Sequence, residues 1–335
     1  MCRRMRASDA RAPTIERRRK ERVDMSHRMR TYAGPGDYWR LRGFFRRLTA
    51  QHPVPSGFWH VGTFDYLRWH WLENVVERTP DDLVYWEDAG GATISILIHG
   101  DPGVCHPLID PEAWSDGLAT EMLSHAEDHL RARARDGREV IYIWADDQDV
   151  ELQQLLQMRG YDRHESAHAI ESHGGLSLTA TPDPVPPPDG YVVRSMGDLD
   201  ELPTRSLASW RSFHPGEPDD GADPTGAWYR NVQRAPLYRR DLDVVAVAEN
   251  GDIASFAVCF FDDVTRTGVF VLDGTATPYQ RKGLGKAVMT EALARLARLG
   301  ALEAYVSWYE APAGALYQSV GFTVRETSRA WIKTW

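Results

Sequence analysis

Gln280-Arg281-Lys282-Gly283-Leu284-Gly285-Lys286 separates a stretch that reads as a strand, Thr267 to Thr275, from one that reads as a helix, Gly285 to Leu299. In the second stretch Val288, Met289, Ala292, Leu293 and Leu296 recur at helical spacing on one face. The seven residues are therefore a strand-to-helix loop. Chemically they form an anion cradle. The first turn of a helix exposes unpaired N–H groups and the positive end of its dipole. Gly283 and Gly285 let the backbone approach a phosphate, while Arg281, Lys282 and Lys286 add charge. Two better-known phosphate loops do not match. A Walker A loop needs a longer glycine spacing and a Lys-Ser/Thr pair. A dinucleotide fingerprint needs a third glycine and follows the first strand of its domain. Here the loop follows the fourth.

Outward from the loop the pattern stays α/β. The helix ends with Arg295 and Arg298 near its negative pole, and Gly300 supplies a left-handed cap. Ala304 to Trp308 reads as a strand and Ala313 to Ser319 as a short helix closed by Gly321. Phe322–Val324 and Arg329–Lys333 read as two closing strands. Upstream, Ile253 to Phe261 and Asp243 to Ala248 flank an Asn250-Gly251 hairpin turn. Ala227 to Gln233 and Asp198 to Phe213 are helical, the latter interrupted near Pro203, and Tyr191 to Arg194 is a short strand. Before it, Thr181 to Gly190 holds five prolines, which deny the backbone its donors and favour an extended linker.

The half before the linker echoes the half after it. Leu118, Met122, Leu123, Ala126 and Leu130 mark a helix, Val140 to Trp144 a strand, and Leu152 to Met158 a short helix. A shift of 161 residues lays Gly160-Tyr161 on Gly321-Phe322. This is the expected trace of a degenerate repeat of domain size. The boundaries it suggests are a basic, disordered arm (1–30), a degenerate first domain (31–180), the linker (181–189) and a second domain (190–335).

Gln-x-x-Gly-x-Gly between strand and helix, followed some thirty residues on by Ala315-Leu316-Tyr317-Gln318-Ser319-Val320-Gly321-Phe322, resembles the GNAT superfamily of N-acetyltransferases. The resemblance covers residues 190–335, with both motifs in family order. It implies two GNAT-like domains, each a mixed, mostly antiparallel sheet flanked by helices. The co-substrate implied is acetyl-CoA or another short acyl-CoA, with no metal. The pyrophosphate would lie on Gln280, Arg281, Lys282, Gly283, Leu284, Gly285 and Lys286, and the pantetheine arm against Gly274, Thr275 and Ala276. Tyr317 takes the position of the family's acid, which protonates the leaving thiolate; a phenol near pKa 10 suits a thiolate of reference pKa about 8.5.

The amine needs a base, because freeing an ammonium of pKa near 10 at pH 7 costs roughly 4 kcal/mol. Relatives often carry a glutamate at the position of Val271. Asp273, two residues on and so on the same face of a regular strand, is one candidate base. Glu310, where relatives commonly have Asn, is another, or a cap of the helix that follows it. His214 falls in the helix–loop region that lines the acceptor pocket in the family.

The first half lacks this equipment. Its aligned loop, Trp114 to Ala119, has lost the basic residues and carries Asp116, which repels a pyrophosphate; Leu156 stands where Tyr317 stands. It is expected to shape the acceptor site or to stiffen the active half. Its aromatic opening (Phe44, Phe45, Phe58, Phe64 and neighbours) reads mainly as core.

Charge and cysteines narrow the function classes. The net charge of −9 combines +7 over residues 1–30 with −16 over the rest, and an acidic body argues against nucleic acid as a partner. The basic arm is either a tail or a stretch ahead of a later start at Met25 or Met29. No apolar run suits a membrane span, and Cys2, Cys105 and Cys259 have neither disulfide-scaffold nor zinc spacing. A cytoplasmic enzyme, monomer or homodimer, acting on an amine of a small molecule or peptide, is the expectation. A mycothiol-synthase-like acetyltransferase and a non-catalytic acyl-CoA sensor are the alternatives.

Overall fold

The computed structural model of the chain describes residues 26–51, 59–74 and 83–335. The arm as far as residue 25, and Phe58, lie outside them. His27 to Arg30, assigned to the arm by charge, belong instead to strand β1 (His27–Thr31), which pairs from His27↔Asp88 to Thr31↔Val84. Backbone pairing needs no apolar side chain, so the basic composition did not forbid a strand here.

The first half continues with α1 (Pro35–Gln51) and α2 (Val61–Tyr66, prolonged through Asn74). Then come β2 (Leu83–Asp88), β3 (Thr93–His99), β4 (Val104–Ile109), α3 (Asp116–His129), β5 (Ala132–Arg133), β6 (Glu139–Asp146), α4 (Val150–Met158), β7 (Asp162–Arg163) and β8 (Ile170–Ser177). After the linker follow β9 (Tyr191–Ser195), α5 (Leu202–Phe213), α6 (Ala227–Val232), β10 (Asp243–Ala248), β11 (Ile253–Asp262) and β12 (Thr267–Thr275). The chain closes with α7 (Leu284–Arg298), β13 (Glu303–Trp308), α8 (Ala311–Ser319) and β14 (Thr323–Thr334). Pro203 opens α5 rather than interrupting it, since the first helical turn needs no N–H from that residue. The two closing strands expected after α8 are one, with a register shift between Val324 and Glu326.

All strands among the described residues join one sheet in the order β1-β2-β3-β4-β6-β14-β8-β13-β12-β11-β10-β9, with β5 on β6 and β7 on β14. The two halves trade their last strands. β8 of the first half lies against β13 (Ser177↔Glu303 to Ser172↔Trp308), and β14 of the second lies against β6 (Ser328↔Asp146 to Thr334↔Val140). The linker therefore divides the sequence but not the sheet. Its Val185 N–H is tied to Thr290 Oγ1 of α7 at 2.9 Å.

The cores follow the same logic. One face of the sheet carries a single core for both halves, with Leu41, Phe45 and Phe64 of the first packed beside Phe256, Phe260 and Val269 of the second. The opposite face carries two cores, one under α3 and α4, the other under α7 and α8. Arg46 donates from Nε and Nη2 to the one oxygen Asp262 Oδ1, at 2.9 and 2.6 Å, which adds an ion pair between the halves.

Candidate active site

β12 and β13 run parallel for three pairs, Thr267↔Glu303 to Val269↔Tyr305, and then diverge. Beyond the fork the β13 side of β12 has no strand neighbour among the described residues, so its backbone groups need another partner. A bulge sits at the fork: Cys259 pairs Phe270 and Val258 pairs Leu272, which leaves Val271 as an extra residue. Val271 and Leu272 both pack on the shared core. Alternation is thereby shifted, and Asp273, opposite Ala257 of the α7 core, projects toward α7 and α8. The regular spacing put Asp273 on the face of Val271; the inserted residue reverses that.

On its new face Asp273 meets Tyr317. The ring of Tyr317, 6% exposed, packs on Trp308 and Phe322 at centroid distances of 5.5 and 6.3 Å. Its hydroxyl donates to the Asp273 carboxylate. Burial pushes the Asp273 carboxyl up to about 6, against the lowering pull of that hydrogen bond. Burial, and then the facing carboxylate, push the Tyr317 hydroxyl well above its ordinary value. Next to Asp273, Gly274 is held by close approach: a Cβ there would lie 2.7 Å from Phe256 Cζ and 3.0 Å from Ser212.

The loop after β12 starts α7 without a side-chain cap. Gly283 supplies the left-handed N-cap, φ +84°, and Arg281 is left-handed as well, φ +63°. The first α7 amides thus keep the free donors that an anion seeks. Arg281, Gly283, Leu284, Gly285 and Lys286 line the adjoining cavity, as does Gln280, whose amide also donates to Thr275 O at 3.1 Å. Two expected binding residues do not line it. Lys282 turns away, its Nζ 3.0 Å from the Tyr191 hydroxyl and over the rings of Tyr191 and Tyr279. Ala276 is buried; its N–H donates to Ala254 O and its carbonyl accepts from Tyr279 N–H.

The cavity measures about 1260 Å³ and runs from this loop through the fork into the first half. Its far end is walled by His106 and Trp144, stacked at 5.8 Å, and by Tyr309, edge-on to Trp144 at 5.7 Å. The Tyr309 hydroxyl reaches Glu171, whose buried carboxyl is pushed up to about 7. Glu310 lines the cavity as an exposed carboxylate; it stands at the N-cap position of α8 but makes no capping bond. His214 stacks on Trp210 at 3.8 Å, while its neighbours Phe213 and Pro215 face the cavity. Ser307 of β13 also lines it, and the sequence reading passed over this residue because a lone serine in a strand carries no signal.

The corresponding place in the first half is closed. Ser115 caps α3 by accepting from Leu118 N at 3.1 Å, and Leu156, at the position matching Tyr317, is fully buried in core. Among the described residues no three His, Cys, Asp or Glu are grouped to hold a metal ion, and no helix is long and apolar enough to cross a membrane.

Solved structures with the same fold span nearly the whole chain. A GCN5-related N-acetyltransferase from Sphaerobacter thermophilus is 16% identical and superposes over 92% of this chain and 95% of its own, with a TM-score of 0.61. A tandem GNAT protein from the clavulanic acid biosynthesis pathway is 14% identical, over 92% and 98%, with a TM-score of 0.64. A GNAT-family acetyltransferase from Colwellia psychrerythraea is 12% identical, over 91% and 100%, with a TM-score of 0.54. No curated protein sequence matches the chain. The profile of the acetyltransferase (GNAT) family matches residues 207–322, which contain the fork, the uncapped loop and Tyr317. Over that stretch, about a third of the chain, the protein is similar to the GNAT family of acetyltransferases.

Proposed function

We propose that the protein transfers an acetyl or other short acyl group from acyl-CoA to an amine by direct attack. The observation that carries this reading is the uncapped N-terminus of α7 with Arg281 and Lys286 beside it, opening into the same cavity as the Asp273–Tyr317 pair. The diphosphate of the co-substrate would rest on the α7 amides. The thioester would lie in the fork, its carbonyl polarised by a backbone amide of β12. The acceptor amine would enter from the first half, drawn by Glu310.

The proton balance follows from the chemistry. An ammonium that becomes an amide sheds two protons, and the thiolate takes up one. Tyr317 gives its proton to the thiolate sulfur. Asp273 takes a proton from the nitrogen of the tetrahedral adduct and returns it to the Tyr317 oxygen. A carboxyl at about 6 is suited to this, being ionised at neutral pH yet more basic than an exposed aspartate.

Two results are expected. Calorimetry with acetyl-CoA should show Arg281→Ala and Lys286→Ala each binding about 10–100-fold more weakly, the worth of a charge-assisted contact. Lys282→Ala, already committed to Tyr191, should bind nearly as the parent does. No heat with any acyl-CoA would remove the reading. The acid limb of kcat/KM should fall as pH drops through about 6, because the protonated Asp273 accepts nothing. Asp273→Asn should lower the rate and abolish that limb. A limb unchanged in the variant would assign it to another group.

A further inference from the structure

A row of side-chain hydrogen bonds crosses the seam where the halves trade strands. Ser307 Oγ of β13 is 2.8 Å from His173 Nδ1 of β8. His173 Nε2 is 2.7 Å from Ser328 Oγ of β14, and Ser328 donates to Asp146 Oδ1 of β6. The four residues occupy four adjacent strands on one face of the sheet. Ser307 is open to the cavity, His173 is 2% exposed, and Asp146 is half-buried beside the exposed Asp147.

The direction of the row is set by its end. Burial pushes the Asp146 carboxyl up from its ordinary value, against the bonds donated by Ser328 and Trp59; as a carboxylate it only accepts, so Ser328 spends its hydrogen there and must accept from His173 Nε2–H. His173 Nδ1 is then bare and accepts the Ser307 hydrogen. Burial holds the ring neutral, with its pKa lowered to about 4. The Ser307 oxygen is left as a pure acceptor. Ser307 alternates with Trp308 and Val306 of the α7 core and so lies on the side of the sheet where α2 packs, opposite to Asp273.

We propose that Ser307, His173, Ser328 and Asp146 form the exit for the proton that the acceptor ammonium loses before it attacks. This rests on the acyl-transfer reading above, whose balance leaves one of the two amine protons unclaimed. As the ammonium N–H passes to Ser307 Oγ, the Ser307 hydrogen moves to His173 Nδ1. The Nε2 hydrogen moves to Ser328, and the Ser328 hydrogen to the Asp146 carboxylate. No electrons change hands. Asp146 then releases its proton to solvent, and the row resets when the two serine hydroxyls and the His173 ring, now protonated on Nδ1, turn back to the starting arrangement. Ser307 touches the substrate; His173, Ser328 and Asp146 are positioning residues acting through it.

An amine that arrives neutral does not need this exit, and that separates the proposal from a merely structural row. With ethanolamine as a protonated probe and methoxyamine as a neutral one, Ser307→Ala and His173→Gln are expected to lower kcat/KM for ethanolamine by about 10²-fold. Both should lower methoxyamine turnover at least tenfold less than ethanolamine turnover and leave acetyl-CoA affinity unchanged, and Ser307→Thr should restore ethanolamine turnover. Equal losses for both amines, or no loss, would overturn the proposal. Nitrogen-15 NMR of the resting protein gives a test independent of turnover: His173 should carry its proton on Nε2, and an Nδ1–H ring refutes the row as drawn. Should the parent protein bind no acetyl-CoA, the acyl-transfer reading fails by itself, and the ring tautomer still decides the row.

Discussion

Tyr317→Phe is expected to lower kcat by about 10²–10⁴-fold, the usual worth of a placed acid. The affinity for acetyl-CoA should stay nearly the same, because an interaction made only in the transition state leaves ground-state binding intact. The ring keeps its contacts with Trp308 and Phe322, so the short helix α8 stays seated. Only the hydroxyl goes, and with it the hydrogen bond to Asp273. That bond pulls the Asp273 pKa down, so its loss should move the acid limb of the pH profile upward from about 6. Steady-state rates beside calorimetry read both effects. Turnover at the parental rate would take Tyr317 out of the chemistry. A large fall in coenzyme affinity would make its role binding.

The second large effect concerns stability. Residues 190–335, expressed alone, are expected not to fold, although they contain the complete family motif set. The fragment lacks β8, which lies between β13 and β14, and half of the shared core. Leu41, Phe44, Phe45, Leu48, Val61 and Phe64 come from the first half and are all essentially buried. At roughly 1.5–3 kcal/mol for each such side chain, their loss rivals the ~5–15 kcal/mol of net stability typical of a domain. Circular dichroism and sedimentation of the fragment check this. The complementary result is that intact protein cleaved at a protease site engineered into the linker remains one particle with its acetyl-CoA affinity. Cleavage into two separate folded bodies would contradict the traded strands.

The local parts of the structure were legible in the sequence. β12, the loop and α7 follow from one apolar run, two glycines and a helical stripe, all within thirty-odd residues. The hairpin at Asn250-Gly251 follows from turn chemistry. The rest depends on pairing across distance. β8, Ile-Glu-Ser-His-Gly-Gly-Leu-Ser, has no apolar run to mark it as a strand, and nothing local names β13 as its neighbour. The bulge at Val271 leaves no mark, since one more valine in Val-Phe-Val-Leu looks like any strand, and it reversed the face of Asp273. Lys282 was indistinguishable from Arg281 until the rings of Tyr191 and Tyr279 stood beside it. His173, Ser307, Ser328 and Asp146 are scattered over the chain and meet only where the halves trade strands.

The order of the sheet also sets a timetable for synthesis. The ribosome delivers β6 long before β14, its partner. Until then the nascent first half presents an open strand edge, the kind of surface that recruits wrong partners. Docking of β14 is thus a late step that seals the earlier half and completes the later one together. Slow release of the final strand, or its truncation, would therefore be felt first as aggregation of nascent chains rather than as a defect in catalysis.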